Sequence, residues 1–232
     1  MERIACYMAT ENYYDMVRPS IRSMLMNGDA DKIYVLSEGG FTHEDPKVEA
    51  VDVSGQTWIS RQSPNYAKRF SWMVMMRAAM HRIFPGVNRI LSIDADTIVT
   101  GDISELWDLD LSGYYLAGAR EPLKSKGGPY QQEKLYINCG VLMMNLEELR
   151  DGKGDQIIEV LNKIEFPFVE QDAFNHYCQG KILEIPSAYN ANAFTATALE
   201  PSIVHMAAVA NWYDTFLFRM YRDIDEDELD KE

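Results

Sequence analysis

The chain has 232 residues, 47% of them apolar and 25% charged, which fits one large globular domain or at most two small ones and excludes disorder throughout or a disulfide-framed mini-protein. Acids outnumber bases 36 to 22, for a formal net charge of −14. That balance argues against nucleic-acid binding and against a basic membrane patch, and it means that an anionic substrate needs a local cation.

Along the chain, short apolar runs alternate with helical patterns. Ile4 to Met8 is expected as a buried strand. A helix starting near Asp15 follows, with Val17, Ile21, Met24 and Leu25 on one face. Pro19 is tolerated near its start, where amides lack intrahelical partners. Lys32 to Ser37 and Val48 to Val53 give the second and third strands. Arg69 to Phe84 is a second helix whose Met73, Met75, Met76 and Met80 read as core filling, and Pro85-Gly86 ends it. Arg89 to Ile93 is a strand that runs straight into Asp94-Ala95-Asp96. Tyr114 to Ala119 and Ile137 to Met144 are further strands. Gln156 to Ile164 and Glu170 to Tyr177 are helices, and Ile182 to Ile185 and Ile203 to Met206 are late strands. This alternation predicts an α/β domain with a mostly parallel sheet flanked by helices, and a ligand site beyond the carboxyl ends of the strands. Residues 1–222 are expected to form that single domain. Residues 223–232, with seven acids against one lysine, form a solvated acidic tail.

Cys6, Cys139 and Cys178 are scattered without CxxC spacing, which suggests reduced thiols and a cytoplasmic protein. No apolar run reaches the ~18 residues that cross a bilayer, and residues 1–10 lack a signal-peptide pattern. Direct membrane insertion is not expected. Oligomeric state is not legible.

The sharpest local feature is ILSIDADTIVTGDISELWD. An apolar strand ends in Asp94 and Asp96, spaced so that both carboxylates can turn toward one point. Hard divalent cations take such oxygens, and magnesium or manganese shares them with substrate phosphates. The plain alternative is a turn whose aspartates bond local amides. Two enzyme classes use this context. One is the nucleotide-sugar transferases. The other is the haloacid-dehalogenase-type phosphohydrolases, which usually open their fold with this strand and carry Thr or Val where this chain has Ile98.

Three further segments matter with it: YINCGVLMMNL at Tyr136 to Leu146, FVEQDAFN at Phe168 to Asn175, and IVHMAAVANW at Ile203 to Trp212. Together with ATENYY at Ala9 to Tyr14, their order and spacing resemble family 8 glycosyltransferases, from about Ile4 to Trp212. Each motif is weak alone; five in the right order are specific. The resemblance implies a GT-A fold, a UDP-hexose donor, Mn2+ or Mg2+, retention of anomeric configuration, and a glycan or other acceptor. It implies that Asp94, Asp96 and His205 are the metal ligands, with Ala95 between the acids beside the donor. Ala9, Thr10, Asn12 and Tyr13 match the loop that holds uridine, with Tyr13 stacking on uracil. Arg77 matches an arginine that contacts the donor sugar, and Asn138 and Gly140 match a donor-side backbone turn. Gln171 matches the amide near the reacting anomeric carbon. Asp172 is expected on sugar hydroxyls, Glu170 and Asp172 are reserve nucleophiles, and Glu121 falls where the family has an acid near donor and acceptor.

The chain departs from the family in two places. Glu170 stands where Asp is usual. After His205 the family reads roughly HxxGxxKPW, whereas this chain reads HMAAVANW, one residue shorter, with Ala208 and no lysine. That lysine normally contacts the diphosphate, so a nucleotide-sugar-binding protein without turnover is the second reading. The residues taken without the resemblance also allow quieter roles: a core histidine at His205, a helix-pairing Arg77, a core aromatic at Tyr13, and helix-start acids at Glu170 and Asp172. His43, His81 and His176 read as structural.

Overall fold

The computed structural model describes residues 2–67, 70–121, 134–193 and 200–224. Strands β1 (Ile4–Met8), β2 (Lys32–Ser37), β3 (Val48–Asp52), β4 (Arg89–Ile93), β6 (Leu116–Arg120), β7 (Ile137–Asn145) and β8 (Ile182–Ile185) form one seven-stranded sheet, in the order β3-β2-β1-β4-β7-β6-β8. The β3-β2-β1-β4 half is parallel, and so is the β6–β8 pair. β7 alone runs against its neighbours β4 and β6. Two short strands, β5 (Thr97–Val99) and β9 (Ile203–His205), pair antiparallel outside the main sheet.

Both faces of the sheet are covered, which is why β1 is apolar at every position. Ile4, Cys6 and Met8 point into one core with helices α2 (Met76–Ile83), α5 (Lys153–Lys163) and α6 (Val169–Tyr177). Ala5 and Tyr7 point into the other, with α1 (Tyr14–Asn27) and Trp107 of the short α3 (Ser104–Trp107). Each Ile or Leu fully withdrawn from water there contributes about 1.5–3 kcal/mol. The methionines at 73, 75, 76 and 80 are buried in the first core, as their reading as core filling requires. Two further short helices lie among the described residues, α4 (Leu146–Leu149) and α7 (Phe216–Arg222). No helix among the described residues is long and apolar enough to cross a membrane.

Three expectations change in detail. The helix expected over Arg69 to Phe84 is, where described, a 3-10 turn at Trp72–Met75 followed by α2. The Ser71 hydroxyl accepts from the Met73 amide and caps that start; Arg69 itself lies outside the described residues. Pro19 lies past the first turn of α1, so that helix lacks one backbone hydrogen bond. β5 was not expected at all. It is three residues long and exists through its partners: α1 holds it, with the Ser23 hydroxyl accepting from the Val99 amide at 2.9 Å and Ser20 Oγ 3.0 Å from Thr97 Oγ1. Of the acidic tail, residues 225–232 lie outside the described residues.

Candidate active site

The site sits at the carboxyl ends of β1 and β4, in a cavity of about 480 Å³. β4 ends at Ile93 and the chain turns sharply. The Asp94 amide donates to the Gly140 carbonyl at 2.8 Å, and the Thr97 hydroxyl donates to the Asp94 carbonyl at 2.8 Å. Thr97 then opens β5, and the β5–β9 register sets Thr97 opposite His205. The pairing that sequence reading missed is therefore what carries His205 across the chain to the two acids. Its Nε2 lies 3.3 Å from an Asp96 oxygen and 3.8 Å from an Asp94 oxygen. One ligand atom from each of the three lies within 4.8 Å of the others, a set that could hold a metal and the one such cluster among the described residues.

The imidazole needs room, and Gly140 provides it. A Cβ there would stand 2.1 Å from the ring, closer than any real contact. Gly140 thus seats the histidine as well as turning the backbone. Burial opposes charge on His205, and the acids around it, Asp96 foremost with Asp94 and Glu121, together outweigh that penalty, so its pKa lies above the usual imidazole value. Burial raises the Asp96 carboxyl while His205 and the backbone lower it, and the net result is below the usual carboxylate range.

Arg77 on α2 is 1% exposed, yet charged. It donates to Asp94, to Glu170 Oε1 at 2.6 Å and to Ser92 Oγ at 2.9 Å. Burial disfavours its charge, and the two carboxylates more than restore it. Three of the five guanidinium N–H donors are committed in this way.

α6 begins at Val169 with a positive φ of 47°, an uncommon conformation for a β-branched residue. That turn presents Glu170 and Gln171 to the cavity wall. Burial pushes the Glu170 carboxyl up to about 7, against the pull of Arg77. The Gln171 carbonyl accepts from the Cys139 amide at 3.0 Å, and its NH2 donates to Tyr136 Oη at 3.1 Å and to Glu121 Oε2 at 3.4 Å. Asp172 does not reach the wall. It accepts from Tyr136 at 2.6 Å and from the Phe168 amide at 2.8 Å. Burial raises its carboxyl, with those two bonds opposing.

The remaining expected residues divide in the same way. Thr10, Tyr13, Ala95, Glu121 and Asn138 line the cavity. Ala9 is buried at the end of β1, its amide donating to the Leu36 carbonyl at 3.0 Å. Asn12 is exposed on the 3-10 turn Glu11–Tyr13 and is not part of the wall. His81 pairs with Asp155 at 2.8 Å, away from the cavity. Sequence reading passed over Tyr136, Thr97, Ser92 and Asn190. Asn190, fully buried, lies 2.8 Å through its Oδ1 from His205 Nδ1. Tyr136, Ser92 and Asn190 act through partners 15 or more residues away, and Thr97 pairs both with Asp94 three residues before it and with His205 across β9.

Comparison with known proteins gives one consistent answer. The family model described as Glycosyl transferase family 8 matches residues 6–201. A lipopolysaccharide 1,2-glucosyltransferase of Escherichia coli K12 is 26% identical over 204 residues, covering 79% of this chain and 60% of that protein. The general stress protein A of Bacillus subtilis is 23% identical over 265 residues, covering 96% and 91%. The chain spans only 38% of the length of a Haemophilus influenzae relative that it matches at 28% identity. In three dimensions it is similar to the galactosyltransferase LgtC, solved with donor and acceptor sugar analogues, at a TM-score of 0.78 and 17% identity over 97% of this chain and 98% of that one. That likeness fixes the fold as GT-A, and with the family match over most of its length the chain belongs to glycosyl transferase family 8.

Proposed function

We propose that this chain is a retaining, metal-dependent hexosyltransferase that moves galactose or glucose from a UDP-sugar to a glycan or other acceptor. The observation that carries the reading is the convergence of Asp94, Asp96 and His205 at the mouth of β4. The donor set suits the group: two carboxylate oxygens and an imidazole nitrogen fit manganese, and magnesium less closely. A bound cation supplies positive charge against the departing diphosphate, which an acidic protein otherwise lacks.

The chain's own residues do the rest. Thr10 and Tyr13, beyond β1, form the uridine side of the cavity. Arg77 is a fixed charge, with two N–H groups left over for the donor sugar. Both reserve nucleophiles are engaged, Glu170 by Arg77 and Asp172 by Tyr136 and the Phe168 amide. That favours front-face substitution beside Gln171, whose carbonyl keeps one lone pair for developing positive charge.

A second reading has one observation behind it. Among the described residues lining the cavity, Arg77 is the one Lys or Arg, and it is already paired with two carboxylates. A nucleotide-sugar binder without turnover fits that. Replacing Asp94 and Asp96 separately by Asn tests the main reading: manganese-dependent release of UDP should collapse in both, and wild-type rates in both would refute it. Wild-type binding of UDP-sugar by calorimetry, with no UDP released over long incubation, would favour the binder. A cleft active on simple phosphomonoesters would favour the phosphohydrolase instead.

A further inference from the structure

We propose that Glu38 is a positioning residue that braces two 3-10 turns of the cavity wall against each other, and so sets the affinity for the nucleotide part of the donor. The affinity rests on the UDP-sugar reading of the site; the brace does not. Neither the motifs nor the family resemblance assigned a role to this residue.

Glu38 follows β2 and is not itself on the cavity wall. Its backbone is held by Tyr14, whose hydroxyl accepts from the Glu38 amide at 3.1 Å and donates to the Gly39 carbonyl at 2.6 Å. Gly39 and Gly40 follow with φ of 89° and 77°, a conformation that glycine adopts without strain, so the chain turns immediately after Glu38. The carboxylate then reaches two other segments. Oε2 accepts from the Glu11 amide at 3.3 Å, and Oε1 accepts from the Trp72 indole N–H at 3.1 Å. Every role is fixed by the groups themselves: a backbone or indole N–H only donates, and a carboxylate oxygen accepts. No tautomer or amide flip offers a second arrangement.

Each arm ends on a turn that builds the wall. Glu11 opens the 3-10 turn Glu11–Tyr13, and the amides that start a helical turn have no partner inside it. Thr10 before that turn makes no side-chain cap. Glu38 supplies the acceptor instead, from 27 residues away. Thr10 and Tyr13 line the cavity. Trp72 opens the 3-10 turn Trp72–Met75. Its ring stacks on Tyr66, with centroids 5.7 Å apart and planes 6° from parallel, so packing holds the indole that Glu38 binds. Ser71, Met73 and Val74 beside it line the cavity. One carboxylate thus ties the wall beyond β1 to the wall ahead of α2. Glu38 is exposed, so replacing it costs folding little, and an effect on nucleotide affinity is separable from one on stability.

The test uses wild type, Glu38→Gln, Glu38→Ala, Trp72→Phe and the Glu38→Ala/Trp72→Phe double variant. With ¹⁵N-labelled tryptophan and no ligand, NMR reads how fast the assigned Trp72 indole N–H exchanges with water. Slowed exchange is expected in wild type, and fast exchange in Glu38→Ala. Calorimetry with UDP and Mn2+ then reads affinity. Kd should rise about three- to tenfold in Glu38→Ala, the size of one net hydrogen bond, with the melting temperature near that of wild type. Glu38→Gln keeps an oxygen for the indole but turns NH2 toward the Glu11 amide, so it should fall between. Trp72→Phe should weaken UDP binding by itself and add nothing in the Glu38→Ala background. A Trp72 indole that exchanges freely in wild type overturns the proposal, and that measurement needs no variant to fold. Wild-type UDP affinity in Glu38→Ala, or additive losses in the double variant, also overturns it. Slowed exchange that Glu38→Ala abolishes, with no UDP binding by wild type, supports the brace and refutes the UDP-sugar reading.

Discussion

Two pairs of carboxylates, each spaced two residues apart, meet opposite fates in this molecule. Asp94 and Asp96 follow strand β4. Their side chains are 32% and 23% exposed, and both stand beside His205 at the cavity. Glu170 and Asp172 are on helix α6 and are buried, one paired to Arg77 and the other to Tyr136 and a backbone amide. The spacing is the same; the backbone differs. On a helix, residues two apart project about 200° apart, whereas Asp94 and Asp96 flank a tight turn between β4 and β5 that the Thr97–Asp94 bond and the β5–β9 pairing hold in place. The strand-end pair therefore converges and keeps oxygens facing the cavity. The helical pair diverges, and its second member turns into the interior. Acid spacing alone does not assign a role; the element beneath it does.

Arg77 connects the two pairs, so removing it should cause the largest change. Arg77→Met leaves Asp94 and Glu170 without their shared cation. Breaking a buried ion pair from one side costs about 3–5 kcal/mol, expected as a lower urea midpoint together with lost transfer. Asp96→Asn comes next and separates the pairs. Activity should fall by on the order of 10²–10³, while the melting temperature stays near wild type, because the acid is partly exposed. Asp172→Asn should do the reverse. Its Oδ1 can keep the Phe168 amide, but its NH2 then faces Tyr136 Oη and leaves the Tyr136 O–H without its acceptor, a loss of about 1–3 kcal/mol, with turnover per folded molecule nearly kept. If Asp172→Asn abolishes turnover at unchanged stability, the contrast between the pairs is wrong.

Glu170 gives a smaller and more selective test. Burial sets its folded pKa at about 7, above its ordinary value of 4.5. The folded state then binds the proton more tightly than the unfolded chain. Stability from this group is fully present below about 4.5 and declines as pH rises to about 7, with a slope of at most about 1.4 kcal/mol per unit. Chemical denaturation of wild type and Glu170→Gln across that window should show the decline in wild type and its loss in the variant. Parallel profiles would mean that Arg77 keeps Glu170 ionised throughout.

Legibility in the sequence followed how local each signal was. β1, β2, β4 and β8 could be bounded from their residues because each is a short, mostly apolar run, with polar residues confined to strand ends, to Ser92 and to the exposed Glu184 of the edge strand β8. β5 could not, since three residues carry no period and its strand character comes from β9 and the serines of α1. In the site, Asp94 and Asp96 were readable because an apolar strand ending in acids is a local pattern. His205 alone read as well as a core histidine, and only the family resemblance singled it out. Asn190, 15 residues before the His205 ring and 52 after the Asn138 amide that it contacts, leaves no trace at any fixed spacing. Asp172 was expected on sugar hydroxyls because a short motif does not reveal which way helix α6 is rotated.

The smallest expected effect lies in the segment after His205, where the chain departs most from its family. Ala208 has a φ of 60° and Asn211 a φ of 52°. Asparagine tolerates that conformation, whereas alanine holds its Cβ against the following carbonyl at a cost of about 1 kcal/mol. The HxxGxxKPW pattern that the segment resembles has glycine here, and glycine meets a positive φ without strain. Ala208→Gly should relieve the strain but loosen the unfolded chain by about 0.4–1 kcal/mol, so the net gain is below about 1 kcal/mol and the melting temperature rises by a few degrees at most. Ala208 also lines the cavity, so the variant removes one methyl group from the wall while leaving Asp94, Asp96 and His205 untouched. A rise in stability with unchanged Mn2+ affinity would assign this departure to the backbone of the wall. A fall in Mn2+ affinity would mean instead that the strained turn helps to hold β9, and His205 with it, against the two acids.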